Sequence, residues 1–419
     1  MDEIISKIKL SKKNTNEKMK PLVVSHDSHP SLQRIIEAFE NSDKVTLGYS
    51  TLEKDGEMTK PSLKKKLLYL TGASLRDHLF NETFKKYELV TNATPEEIRM
   101  ILNFFKFTEI KPYNEKYLNK YEKVEKTSVN PFKYYVDKWD SHGNEMGFNV
   151  IVKNQDLELN TLDKNPKFLL KEPNLRKFTT SIHEDALSRD FTVNAIYLKL
   201  KNSEGENTEL YDPVRGVHDI IHNQIYLIGN DDSKFKENPD LMFKLVELST
   251  KFSNDNKVSE GNIKNIKDNI QDTEDKPKLF KKNYMSSVNN EDISTFNYLK
   301  NLYITGLFFK LFPNLKITPP IYSLFNDYIF VTAFILQNNH EGLLFKNLTN
   351  LHWNKFEIQE IIFIKKLIDW SKTEDESLIK NMLGQLTDIP VQKMLHLMKI
   401  LNKEKEFKKI LEKYSSDII

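Results

Sequence analysis

The run Arg189-Asp190-Phe191-Thr192-Val193-Asn194-Ala195 places a guanidinium, a carboxylate and a carboxamide at the edge of an apolar stretch. A second cluster, Gly72-Ala73-Ser74-Leu75-Arg76-Asp77, follows the apolar run Leu67-Leu68-Tyr69-Leu70. Backbone N–H groups at a strand-to-helix turn aim at an anion, and the helix dipole favours a phosphate there. Arg76 would then grip phosphate oxygens. Each cluster also has a plainer reading. Arg76 and Asp77 could be a surface pair on a strand–turn–helix corner. Arg189 and Asp190 could be a satisfied ion pair tying a sheet to the next helix, since buried charges need partners.

Together these segments resemble the bacterial-type (class II) tRNA nucleotidyltransferase and poly(A) polymerase family. The resemblance is carried by Leu70–Leu79, Lys85–Ile98, Glu184–Ala195 and the turn Asp212-Pro213-Val214-Arg215-Gly216. Fainter likeness extends to Gly306–Pro313, so it covers about 67 to 315. Ala73 departs from the pattern, which has a second glycine there. The resemblance implies that Gly72, Arg76, Asp77, Arg189, Asp190 and Asn194 form the nucleotide pocket.

It also locates the metal positions. The family has two aspartates at i and i+2 on a strand, which puts both carboxylates on one face. They hold two magnesium ions that align the attacking 3′-oxygen and the triphosphate. In this chain those places fall on Lys86 and Glu88. Glutamate still ligates a hard cation. An ammonium has three donors and no acceptor, and repels a metal. The family's third carboxylate falls on Glu158, which could equally be a solvated strand residue. The base-reading Asp and Arg of the template helix fall on Asn238 and Leu241. Asparagine can pair with a base edge; leucine cannot.

The resemblance, read with these departures, implies a catalytically impaired homologue with no intact catalytic set, no resident metal and no cofactor. Its expected role is RNA binding, with a tRNA-like partner, or scaffolding in a protein assembly. Two alternatives stay open: an active CCA-adding or poly(A)-adding enzyme using Glu88 and Glu158 with Mg2+ and ATP or CTP, and a structural subunit that binds no nucleotide.

The elements that must position these groups can be read from spacing. Leu32, Ile35, Ile36 and Phe39 predict a helix over 31–40. Residues 55–66 read as an exposed lead-in. Short strands are expected at 67–70, 87–90, 133–138, 148–153, 156–161, 196–200, 210–213 and 225–228, with 163–183 an irregular connection. Thr94-Pro95-Glu96-Glu97 starts a helix: a Thr cap, Pro at the first position and acids in the first turn. From Phe235 the spacing is helical, and Phe356–Trp370 offers an apolar stripe with lysines on the other side. The expected fold is α+β: a nucleotidyltransferase-like α/β head, with a small mixed sheet and helices, followed by an all-helical body. The expected divisions are an arm and helix at 1–60, the head at 61–232, a helical neck at 233–289 and a helical body at 290–419.

Composition sets the outer bounds. The 419 residues are 39% hydrophobic and 29% charged, a globular balance. Net charge is +2, so no global field steers the chain to nucleic acid and any RNA contact must be local. Lys64–Lys66 and Lys276, Lys278, Lys281 and Lys282 are such patches, or ordinary solvated faces. The chain has no cysteine, which excludes disulfide partners, thiolate metal sites and cysteine nucleophiles. It has no apolar run near the ~18 residues of a membrane span. The N-terminus has no secretory h-region, and a cytoplasmic location is expected. His218 and His222 have helical metal-ligand spacing but lack the glutamate of a His-Glu-x-x-His site.

Overall fold

The computed structural model describes residues 30–47, 51–52, 58–59, 61–80, 82, 87–109, 132–139, 145–152, 174–177, 181–200, 209–229, 231–271, 276–318, 327–375, 377 and 391–414. Lys86, Glu158 and the strand expected at 156–161 lie outside the described residues. The chain divides into two compact units, Met1–His222 and Asn223–Ile419.

The first unit is built on a mixed sheet. Its strands are β3 (Leu68–Thr71), β4 (Glu88–Thr91), β5 (Thr108–Glu109), β6 (Phe132–Trp139), β7 (Glu145–Val152), β8 (Asn174–Lys177), β9 (Tyr197–Lys199) and β10 (Leu210–Tyr211); β1 (Thr51–Leu52) and β2 (Met58–Thr59) pair separately. The order across the sheet is β10-β9-β3-β4-β8-β7-β6-β5. β3 is antiparallel to both β4 and β9, while β8 runs parallel to β4. All four residues of β3 are buried, so its sequence is a continuous apolar run rather than an alternation.

The described α-helices of the unit are α1 (Pro30–Glu40), α2 (Gly72–Leu79), α3 (Pro95–Phe104), α4 (Ile182–Ser188) and α5 (Gly216–Ile221). The α1 stripe of Leu32, Ile35, Ile36 and Phe39 is buried, as its spacing predicts. α3 begins at the expected cap. Thr94 Oγ1 accepts from the Glu97 N–H at 3.2 Å, and Glu97 Oε2 accepts from the Thr94 N–H at 2.8 Å.

Three expectations change. The connection expected over 163–183 contains β8. Asn174-Leu175-Arg176-Lys177 has one apolar residue, so no periodicity announces it; ladders with β4 and β7 on either side hold it. Residues 225–228 form no strand: Leu227 makes an isolated bridge, and Ile225, Leu227 and Ile228 are buried. The lead-in at 55–66 is not wholly exposed. β2 pairs with β1 and Leu63 is buried, because tertiary neighbours cover what local polarity left open.

The described part of the second unit is helical: α6 (Asp231–Glu237), α7 (Asp240–Phe252), α8 (Glu260–Asn269), α9 (Pro277–Val288), α10 (Thr295–Thr305), α11 (Leu307–Leu311), α12 (Tyr328–Ile335), α13 (Glu341–Asn350), α14 (Lys355–Thr373), α15 (Val391–Ile400) and α16 (Glu404–Tyr414). Gly306 takes φ +83° between α10 and α11, a left-handed corner that suits glycine. Along α14, Ile358, Ile361, Ile364, Leu367, Ile368 and Trp370 are buried. Phe356 lies off that stripe at 74% exposure. None of the described helices is long and apolar enough to cross a membrane.

Candidate functional site

β3 ends at Thr71 and α2 begins at Gly72. Gly72 has φ +67°, in the left-handed region. The β3–β4 register pairs Thr71 with Glu88, which brings the first residue of β4 alongside the turn. A Cβ on Gly72 would lie 1.8 Å from Glu88 Oε2, so the carboxylate rests directly on the glycine. Ser74 holds this corner together: its hydroxyl donates to Thr71 O at 2.7 Å and accepts from the Glu88 N–H at 3.1 Å. The Thr71 side chain makes no cap to α2 and donates instead to Ile196 O at 2.8 Å.

The two polar clusters meet across 118 residues of chain. Arg76 NH1 donates to Asn194 Oδ1 at 2.8 Å, while its Nε and NH2 donate to Asp77 Oδ1 at 2.8 and 2.6 Å. Arg76 and Asp77 are both buried, so this is no surface pair. Asn194 Nδ2 donates to Asp190 Oδ1 at 3.0 Å, and the same oxygen accepts from the Phe191 N–H at 2.8 Å. One carboxamide thus bridges a cation and an anion, and holds the turn of Thr192–Asn194 against α2.

Arg189 does not pair with Asp190, as one reading of the sequence had it. Its Nε donates to Asp185 Oδ2 at 3.1 Å and to the Tyr197 hydroxyl at 2.9 Å, and its NH1 donates to Asn194 O at 3.0 Å. The Tyr197 hydroxyl donates to Asp185 Oδ2 at 2.6 Å, and the Arg189 guanidinium lies 5.2 Å from the Tyr197 ring centre. Burial alone would lower the Arg189 pKa; the charges and hydrogen bonds of Tyr197 and Asp185 outweigh it and hold it raised. Burial raises the Tyr197 pKa in turn, against the pull of Arg189. Arg189 therefore sits in a buried triad with Asp185 and Tyr197.

Asp185, Tyr197 and Ser74 were not anticipated. Asp185 stands four residues before Arg189, a helical pairing distance that could have signalled it. Nothing local marks Tyr197 or Ser74. The Asp-Pro turn behaves as expected of a structural element. Asp212 accepts from the Gly216 and Val217 N–H groups at 2.7 and 2.9 Å, and burial raises its pKa against those two bonds. His218 and His222 stack at 4.1 Å between ring centres, and His222 Nδ1 contacts His218 O at 2.8 Å.

Two of the three expected metal positions, Lys86 and Glu158, lie outside the described residues. No group of three or more His, Asp and Glu side chains gathers to hold a metal ion among them. The Glu88 carboxylate lies against the turn, and the residue two before it in the sequence is lysine. Asn238 and Leu241 belong to the second unit. Asn238 is exposed where α6 breaks before Pro239, and the Leu241 side chain is buried. A leucine in that setting offers no edge to a base.

A mixed sheet carrying a strand–glycine turn–helix corner, joined through an asparagine to an Arg-Asp-Phe-Thr segment, defines a nucleotidyltransferase head. Residues 68–226 match the family model described as the poly A polymerase head domain. The chain resembles that family through its head, and the match does not extend over its whole length. It is 28% identical over 188 residues to the CCA-adding enzyme of Staphylococcus saprophyticus, covering 43% of this chain and 37% of that protein. It is 24% identical over 185 residues to the poly(A) polymerase I of Salmonella typhi, covering 44% and 34%. The matches thus span only about a third of the length of these curated relatives. In fold it is similar to a CCA-adding enzyme solved with CTP, at a TM-score of 0.59 and 15% identity over 92% of this chain and 82% of that one. It is also similar to the Thermotoga maritima CCA-adding enzyme complexed with tRNA, at 0.58 and 14% identity over 98% and 85%.

Proposed function

We propose that this chain is an RNA-binding or scaffolding protein on a nucleotidyltransferase fold, impaired in nucleotidyl transfer. The observation that carries the reading is the side chain at position 86. A lysine stands two residues before Glu88, where the family places the first metal-binding aspartate. An ammonium supplies no lone pair and repels a divalent cation. Leu241 adds to this, since the family's base-reading arginine is replaced by a buried apolar side chain. The framework that would hold a nucleotide remains: Gly72, Arg76, Asp77, Arg189, Asp190 and Asn194. In this reading Lys86 pairs with Glu88 or Glu158 and relieves the repulsion the ions once relieved. Triphosphate binding is then weak and gains little from magnesium. The head of 61–232 keeps its shape, a helical neck follows at 233–289, and the body of 290–419 carries the partner surface in the cytoplasm.

A second reading has its own support. The Glu88 carboxylate has no hydrogen-bond or ion-pair partner among the described residues, and the similar proteins are named as enzymes. An active CCA-adding or poly(A)-adding enzyme would use Glu88 and Glu158. One experiment separates the two: incubation with tRNA lacking its 3′ end, labelled CTP or ATP, and Mg2+. Absent or trace label transfer is expected. Robust transfer that Glu88→Ala abolishes would overturn the impaired reading.

A further inference from the structure

Two clefts in the second unit adjoin along α9. Pro277 and Phe280 face an apolar slot of about 540 Å³, with Ile270, Pro313 and Leu351 around it and Phe309 at its rim. Phe309 is 58% exposed, on the short helix that follows the Gly306 corner. Lys267 and Lys310 also line this slot. On the neighbouring face of the same helix, Lys278, Lys281, Lys282 and His352 line a shallow cleft of about 510 Å³. Leu351 belongs to the apolar slot and His352 to the basic one, so the turn after α13 is their shared wall.

The charge of the basic cleft is only partly spent internally. Lys281 is committed: its Nζ lies 2.5 Å from Glu357 Oε2 and 4.6 Å from the centre of the Trp353 ring. Lys278 and Lys282, one turn apart on α9, have no ion-pair partner among the described residues. No acidic side chain lines either cleft among them.

We infer that this double cleft is a platform for an unpaired RNA strand, with a base stacked on Phe309 and the adjoining phosphates held by Lys278 and Lys282. The inference rests on the RNA-binding reading and assigns it a place and a preferred form of RNA. A flat ring with an anion attached matches an apolar slot beside a cationic one, because every base has a π-face and every linkage a charge. A duplex hides its base faces in its own stack, so the slot selects single strands.

The test is fluorescence anisotropy of the full chain with a labelled single-stranded RNA of about 12 nucleotides, and with the same RNA annealed to its complement. It is run across a salt series. Phe309→Ala should weaken single-strand binding at least about fivefold, leave duplex binding alone and leave the salt slope unchanged. Phe309→Tyr should restore it. Lys278→Gln with Lys282→Gln should flatten the slope of log K against log salt by about 0.7 for each lost contact. A thermal melt confirms that each variant is folded. Wild-type chain that binds neither RNA overturns both the RNA reading and this inference. Wild-type binding that Phe309→Ala leaves intact overturns the inference alone. So does Phe309→Ala that abolishes self-association in sedimentation while RNA binding persists, which would mark a protein-docking surface.

Discussion

Gly72→Ala tests whether the glycine turn is held by backbone conformation, by Glu88, or by both. An alanine at φ +67° is strained by roughly 1–2 kcal/mol. Its Cβ would also meet Glu88 Oε2 at 1.8 Å and Glu88 Cδ at 2.6 Å, distances no pair of atoms tolerates. The clash is with the far end of a flexible side chain, so Glu88 moves. Leaving its rotamer costs about 0.5–1.5 kcal/mol. The sum is about 1.5–3.5 kcal/mol with Glu88 present and about 1–2 kcal/mol with Glu88→Ala. The difference is a coupling of about 0.5–1.5 kcal/mol, in the range of residues that touch. Urea-titrated hydrogen exchange, read on peptides spanning β3 and α2, measures both backgrounds within the first unit. Equal costs in the two backgrounds would show that Glu88 does not rest on the turn. No cost in either would refute the left-handed conformation as well.

Asp185→Ala should destabilise the first unit by about 3–5 kcal/mol, since it strands Arg189 without its buried carboxylate; a loss under 1 kcal/mol in the same exchange measurement would show the triad to be dispensable. Burial lowers the His78 pKa below its ordinary 6.5, so the unfolded chain takes up the proton first. The contribution of His78 to the stability of the first unit is therefore fully present above about pH 6.5 and falls as pH drops from there through the folded value. His78→Gln should remove that dependence, and a pH series of melts that is unchanged by the substitution would contradict it. In the second unit, Ile361→Ala should cost about 2–4 kcal/mol while Phe356→Ser stays within about 0.5 kcal/mol, because one is fully buried and the other is 74% exposed. Denaturant melts that show similar losses for both would mean that the face bearing Phe356 is packed.

The local elements were legible where short-range physics decides them. Thr94 to Glu97 carry a complete capping box within four residues, and the α1 stripe repeats at three and four. The head itself was legible through motifs whose residue types are demanding: a glycine that ends a strand, and an arginine, aspartate and asparagine in fixed order. The sequence also determined the chemistry at position 86, since an ammonium is an ammonium wherever it sits. What it could not decide was partnership. β8 has one apolar residue in four and exists because two neighbouring strands complete its ladder. Arg189 stands next to Asp190, yet it pairs with Asp185 and Tyr197, while Asp190 turns to Asn194. Adjacent side chains on an extended segment point to opposite sides, so sequence neighbours are poor partners there. Asn194 reaches Arg76 across 118 residues, and no local rule fixes such a distance. Residue identity, spacing and charge travel with the chain; which donor meets which acceptor is settled only when strands from distant segments align.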